Sequence, residues 1–298
     1  MKTSKNDIIS QVCKWSVCFL TISLFLFSCY DRQHAQTSIA YEIYDDERAW
    51  MDKFFNDLLF VEGAAYTLFG SKPITEIILS HYTEEELAVF LSGLPKEEQE
   101  NCFLVENYDL PENWEKWERI SSRFLIKKYL LFRSHFDEDG KASFVYFVDI
   151  LKTASVIESN YELFRRTVGF DFHPLEVTLD MPSKDSTFWK NVRASKESAL
   201  LWGLLFGFGR VNSYAFHWKY FDCPESCKKL IEALPIRFSN PPPRGQVQIS
   251  LKNLRLPSFA SFIDEDKMIT RYEGERKKIQ KIYQQKDCLD LTLEKLTH

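Results

Sequence analysis

Apolar residues recur at three- and four-residue spacing through much of this chain, and the spacing shifts toward two in its middle. From Asp45, the positions Trp50, Phe54, Leu58 and Val61 mark one face of a helix ending near Gly63. "YTLFGSKPIT" (66–75) reads as a short apolar stretch followed by a Gly-Ser-Lys-Pro turn. "TEEELAVFLSGLP" (83–95) predicts a helix, with Thr83 and Glu86 as a capping box and Gly93 and Pro95 closing it. "PENWEKWERISSRF" (111–124) predicts another, opened by Pro111. "KYLLFRSHF" (128–136) and "KASFVYFVDI" (141–150) are rich in aromatic and β-branched residues, and flank Asp137-Glu138-Asp139-Gly140. That is the pattern of a β-hairpin.

Beyond Ile150, apolar residues at 154, 157, 161, 164 and 168 predict one amphipathic helix capped at Gly169. "HPLEVTLDMP" (173–182) reads as a strand. Helical pieces are expected near 183–193, 196–207, 212–221 and 224–234. "NPPPRG" (240–245) is a stiff break, and "QVQISLKNLRL" (246–256) alternates as a strand would. A charged helix from Ile263 to about Gln285 and a short last helix close the chain. There is no strand–helix–strand alternation of the kind a doubly wound sheet requires. The expected fold is therefore a helix-rich α+β single compact domain, with a β-hairpin and a few short strands, preceded by a signal segment.

The N-terminus changes this picture most. Residues 1–14 are polar with a positive bias, carrying Lys2, Lys5 and Lys14 against Asp7. Residues 15–28, "WSVCFLTISLFLFS", are apolar. A basic segment before a short apolar one is the pattern of an export signal. At about 1.5 Å per residue the apolar stretch covers roughly 21–24 Å, short of the about 30 Å hydrocarbon core. Leu26-Phe27-Ser28-Cys29 resembles the bacterial lipobox, with Phe27 departing from the usual small or hydroxyl residue. The resemblance implies a diacylglyceryl thioether on Cys29 and cleavage after Ser28. Two or more acyl chains, at about 0.8 kcal/mol per buried CH₂, give stable anchoring. The expected organisation is a lipoprotein-type signal over 1–28, a tether over 29–44 and a globular domain over 45–298, with a candidate subdivision near 240–245.

The 298 residues carry a net charge of -5, and removing the basic leader leaves a more acidic body. Clustered cations are what phosphate contacts need, so nucleic acid is not an expected partner. "AYTLFGSKPIT" and, far downstream, "LLWGLLFGFGRVNSYAF" are similar to segments of uncharacterised lipoproteins of chlamydia-related bacteria. The two segments cover about a tenth of the chain. The resemblance implies a bacterial, envelope-associated protein and no particular activity.

Candidate chemistry is sparse. "WGLLFGFGRVNSYAF" (202–216) holds Gly203, Gly207 and Gly209, but Asn212 stands where a dinucleotide fingerprint needs its third glycine. The simpler reading is a close-packed helix with small residues at 203 and 207, stopped by Gly209, leaving Arg210 and Asn212 to line a cleft. In "FGSKP" (69–73), Ser71 and Lys72 could meet a ligand; the plainer reading is a turn fixed by Gly70 and Pro73. Asp137–Gly140 echoes a calcium loop, but His135 and Tyr146 would occupy its first and last ligand positions. Asp171 and His173 would share one face of a strand, without further ligands for a metal. Ser226-Cys227-Lys228-Lys229 contains S-x-x-K, yet the S-x-N and K-T-G elements that accompany it in penicillin-recognising enzymes do not follow. Cys223 and Cys227 are candidates for a disulfide, since an exported domain meets an oxidising compartment; buried thiols are the alternative.

The expectation is a lipid-anchored protein of the cell envelope, on the outer membrane or periplasmic face, with a non-catalytic structural or protein-interaction role. Its partners would be the membrane, through Cys29, and an envelope protein; no cofactor or metal is expected. The alternative is a small-ligand-binding lipoprotein with a cleft near Gly70–Pro73 and Gly207–Ser213, lined by Ser71, Lys72, Arg210 and Asn212. A hydrolase ranks behind both.

Overall fold

The computed structural model describes residues 43–80, 84–96, 103–105, 109–136, 142–240, 245–247, 249–284 and 287–298. The expectations for the signal, Cys29, the tether, Thr83 and the Asp137–Gly140 turn lie outside them. The first helix, α1 (Asp45–Asn56), carries Asp45, Asp46 and Glu47 in its first turn, where the positive end of the helix dipole favours acidic groups. A π-helical turn (Asp57–Val61) prolongs it, and α2 (Ala65–Leu68) follows. Then come β1 (Ile74–Ser80), α3 (Glu84–Gly93), β2 (Phe103–Val105) and α4 (Leu110–Ile120). The hairpin strands are β3 (Tyr129–Phe136) and β4 (Ala142–Asp149).

These strands form one antiparallel sheet in the order β1-β4-β3. The register pairs Ile74 with Val148 and Tyr129 with Asp149, and slips by a bulge between Arg133 and His135. β1 is a strand that the periodicity of 66–75 did not announce. Its Ile77-Ile78-Leu79 run hides the alternation, because Ile78 is apolar although it stands exposed between buried Ile77 and Leu79. One face presents Thr75, Ile77, Leu79, Val145 and Phe147, all buried, toward α1, α2 and α4. There Phe54 stacks on Trp117 at 5.4 Å and Trp117 on Phe124 at 5.2 Å. Arg133 reaches from the same face to Glu115 and Glu118 of α4.

The opposite face presents Ile74, Tyr146 and Val148 to a layer of short helices. That layer is α5 (Ile150–Ser159), α6 (Tyr161–Val168), α7 (Pro174–Leu179), α8 (Thr187–Ala194) and α9 (Ser198–Leu205). Its centre is Trp189, fully buried, whose indole N–H donates to the Val177 carbonyl at 2.7 Å. The single helix expected over 150–168 is two helices. Asn160 leaves helical geometry and turns its amide back onto the Val156 carbonyl, which competes with the helix ladder. Gly169 does cap the second, at φ 85°. The strand expected at 173–182 is α7. Pro174 pre-sets its first turn and Val177 docks against Trp189, so packing overrides the β-branched composition.

The rest is α10 (Arg210–Tyr220), α11 (Lys228–Ala233), β5 (Arg237–Phe238), β6 (Gly245–Val247), β7 (Ala260–Ser261), α12 (Lys267–Tyr283) and α13 (Cys288–Thr297). The strand expected over 246–256 is shorter: β6 pairs in parallel with β2, and a 3₁₀ turn at Leu251–Asn253 replaces its second half. β5 pairs with β7, α13 packs on α1, and α12 on α2. Residues on both sides of the 240–245 break therefore belong to one compact unit, Ile43–His298, an α+β arrangement dominated by helix.

Candidate functional site

Gly70–Pro73 and Gly207–Ser213, some 130 positions apart, meet in space. The first segment is locked from below. The Tyr66 carbonyl accepts the backbone N–H of Gly70 and of Lys72, and the Pro73 carbonyl accepts that of Asp149 at 2.9 Å. Thr67 and Thr75 share a buried hydroxyl hydrogen bond at 2.8 Å, and Lys152 donates to the Thr67 carbonyl at 2.7 Å. From α12, Glu275 accepts the Ser71 N–H at 3.0 Å.

The second segment differs from its sequence reading. Instead of a helix running through 207 to a stop at Gly209, α9 ends at Leu205, and Gly207 and Gly209 both take positive φ, 76° and 81°. Gly209 opens α10. A Cβ on Gly203 would lie 2.7 Å from Ser213 Oγ, so that glycine lets α9 and α10 cross closely. A Cβ on Gly207 would meet Tyr272 Oη at 2.5 Å and Pro73 Cδ at 3.0 Å. Tyr272 Oη donates to the Gly207 carbonyl at 2.8 Å, so α12 is the post against which both segments rest.

Of the four residues singled out from the sequence, the structure brings Ser71 and Lys72 to this junction. Asn212 lies nearby, but is 3% exposed. Its amide donates to Asp266 and to the Phe208 carbonyl, and its oxygen accepts the Phe262 N–H. Asp266 in turn caps α12 through the Met268 N–H. Asn212 is thus a brace between loops, with nothing left to offer a cleft. Arg210 is exposed, its guanidinium 5.6 Å from the Tyr214 ring, at the start of α10.

Lys72 is 8% exposed and makes no ion pair or side-chain hydrogen bond among the described residues. Burial pulls its ammonium down from 10.5 to about 8, against the upward pull of Glu62 and Glu76. The buried hydroxyls of the neighbouring Tyr66 and Ser71 are likewise without protein partners. Such groups are uncommon in native interiors, and an ordered water or a bound ligand would satisfy them. Beside them, Glu76 Oε1 accepts the Tyr146 hydroxyl at 2.6 Å. Burial, and then the Glu76 charge, push that phenol well above its ordinary range, so it stays a donor. Its ring stacks on Trp202 at 5.6 Å, and Trp202 on Phe206 at 5.3 Å. Phe206 precedes Gly207, which closes the circuit back to Lys72.

Glu76 and Tyr146 escaped the sequence reading. The available signal was a lone acidic side chain, at alternate spacing with Ile74, on the face that packs against the aromatic layer. Trp202 lay inside a quoted segment but was read only for its glycines. The other candidates stay apart from this junction. Asp171 and His173 sit in coil ahead of α7 rather than on a strand, where Asp171 accepts the Tyr161 hydroxyl at 3.3 Å. Cys223 and Cys227 are free thiols, both half-buried, around a 3₁₀ turn that also holds Ser226. Among the described residues no group of three or more His, Cys, Asp or Glu side chains is placed to hold a metal ion. Phe216, Tyr220 and Phe221 form an exposed aromatic cluster at the α10 end, and Leu230 of α11 is exposed as well. No protein-family model, curated protein or solved structure matches the chain.

Proposed function

We propose that this chain is a lipid-anchored bacterial envelope protein, held through Cys29, whose folded body binds a small ligand where Gly70–Pro73 meets Gly207–Gly209. One observation carries the ligand reading. The Tyr66 and Ser71 hydroxyls are buried without partners, and Lys72, 8% exposed, makes no ion pair or side-chain hydrogen bond among the described residues, where Lys72 and Pro73 meet Gly207. Leaving a buried donor unsatisfied costs about 1–3 kcal/mol, and more for a charge. A bound ligand that accepts those bonds recovers the loss. In a thermal-shift screen, compounds that raise the melting temperature of the wild type should fail to raise that of Lys72→Met. Hits that act equally on both proteins would sink the assignment of the site.

Anchoring rests on the basic leader, the short apolar stretch and the Ser28-Cys29 junction. Among the described residues no helix is long and apolar enough to cross a membrane. Cells fed labelled fatty acid are expected to label the wild-type chain and leave Cys29→Ser unlabelled. Label persisting in that variant would remove the lipoprotein claim while leaving the ligand site untouched. The protein-interaction role retains one specific support, the exposed cluster of Phe216, Tyr220 and Phe221.

A further inference from the structure

We propose that the aromatic cluster at the end of α10 is a membrane-docking surface, which lays the folded body against the bilayer that holds Cys29. This goes beyond the ligand site and rests on the anchoring reading above. Large exposed apolar side chains are concentrated here: six of the sixteen among the described residues fall within residues 216–238. Scattered single ones need no explanation, whereas a concentration marks a contact surface. The Phe216 ring centroid lies 4.9 Å from that of Tyr220 and 6.2 Å from that of Phe221, which is 64% exposed. Phe221 does not fold back into the core. Its ring lies nearly parallel to that of buried His217 at 6.1 Å, and the His217 carbonyl accepts its backbone N–H at 2.9 Å. The Lys219 ammonium donates to the carbonyls of Ile231 and Leu234, at 3.2 and 3.5 Å, so the chain leaving α11 is tied beside the cluster. That chain goes on to exposed Ile236 and to Phe238 of β5, which is 59% exposed.

Two arguments select a bilayer as the occupant. The first is reach. Cys29 lies fourteen residues before Ile43, where the described residues begin, and at most about 3.6 Å per residue keeps the start of the body within about 50 Å of an acylated cysteine. A surface tethered so closely meets the bilayer at high effective concentration, and a weak intrinsic affinity suffices. The second is chemistry. Lys219 is spent on backbone carbonyls, and Arg237 pairs with Asp264 at 3.0 Å. Exposed Lys228 and Lys229 are offset by exposed Asp222, Glu225 and Glu232. No cationic excess is left to attract anionic headgroups, and the cluster offers one polar atom, the Tyr220 hydroxyl, for the hydrogen bonds that fix the register of a protein interface. Exposed aromatic rings remain. Such rings settle at the headgroup level, where the Tyr220 ring is buried while its hydroxyl stays wet. Docking of this kind draws on apolar burial and is therefore insensitive to salt.

Benzoylphenylalanine placed at position 221 of the full lipidated chain, in phosphatidylcholine vesicles, tests the contact. On irradiation it should form a phospholipid adduct, read by mass spectrometry, about tenfold more than the same group at position 151, where Leu151 of α5 is equally exposed. Combining Phe216→Ser with Tyr220→Ser should lower the yield at 221 about tenfold, and about 1 M salt should leave it unchanged. Melting curves check that every variant folds. Equal adducts at the two positions, or a yield that salt abolishes, would overturn the proposal. So would capture of a second copy of the chain in place of lipid or, on irradiating whole cells, of another protein without lipid. Fatty-acid label on the same preparations keeps this inference apart from the anchoring reading. A labelled chain with no lipid adduct at 221 loses the docking surface and keeps the anchor. A Cys29→Ser chain that retains its label removes the anchor, and the docking surface with it.

Discussion

Lys72→Met is expected to stabilise the protein by about 2–3 kcal/mol at pH 7, although it removes a charged side chain from a structured turn. The reason is that Lys72 is buried without a counterion at hydrogen-bond distance. Holding its ammonium there lowers the group from 10.5 to about 8, which corresponds to about 3 kcal/mol of destabilisation while the group is charged in both states. Methionine fills nearly the same volume and brings no charge to desolvate. The pH dependence follows from the direction of the shift. Between about 8 and 10.5 the unfolded chain holds the Lys72 proton and the folded chain releases it, so stability gains from rising pH in that window. Below pH 8 the penalty is complete; above about 10.5 it has gone. Urea denaturation at pH 7 and pH 10 should therefore show the advantage of Lys72→Met shrinking at the higher pH. A variant no more stable than wild type at pH 7, or an advantage that does not change with pH, would show that the ammonium is already solvated or paired. A stabilising substitution that abolishes ligand-dependent thermal shifts is the expected signature of a group retained for binding at the expense of the fold.

That a lysine in a Gly-Ser-Lys-Pro turn is buried was not legible from the chain itself. The turn was, from Gly70 and Pro73; its burial depends on Gly207, from a segment with no local relation to it. The helices that periodicity announced at Asp45, Pro111 and in the charged C-terminal stretch are present as α1, α4 and α12, because each buries one stripe. The β3-β4 hairpin is present because its aromatic and β-branched runs fit a pleated surface. What failed has a common cause. β1 and α7 are short and take their identity from neighbours: the Tyr146 strand beside β1, and Trp189 against Val177. The break at Asn160 was visible in principle, since asparagine competes for backbone groups, but the apolar spacing continues straight across it. The candidate site shows the same division. Ser71 and Lys72 stood out as polar turn residues. Asn212 stood out equally, yet its amide is consumed by Asp266, Phe208 and Phe262, contacts that only the assembled fold provides.

Gly207→Ala should cost about 3 kcal/mol, the largest loss expected from adding a single carbon to a left-handed glycine among the described residues. Two penalties combine. At φ 76° an L side chain sits in the left-handed region, for about 1–2 kcal/mol. The new Cβ would also stand 2.5 Å from Tyr272 Oη and 3.0 Å from Pro73 Cδ. Neither neighbour can withdraw cheaply. The Tyr272 ring is fully buried, edge-on to Tyr66 at 5.5 Å, and its hydroxyl is bonded to the Gly207 carbonyl itself. Pro73 is a rigid ring whose carbonyl accepts from Asp149 and Thr153. Overpacking of this kind adds about 1–3 kcal/mol. Gly169→Ala supplies the control, because Gly169 has a similar φ of 85° and nothing within 4 Å of its would-be Cβ. It should cost only the backbone share, about 1–2 kcal/mol. The gap between the two variants in a denaturant titration is then the steric cost of a Cβ where the two segments and Tyr272 close together. If the two substitutions cost the same, Gly207 does not hold Lys72 and Pro73 against α12, and the junction on which the ligand site is built would lose its keystone. If the gap appears, wedging the segments apart in Gly207→Ala should also weaken the Lys72-dependent thermal shifts, though Gly207 has no side chain of its own to offer a ligand.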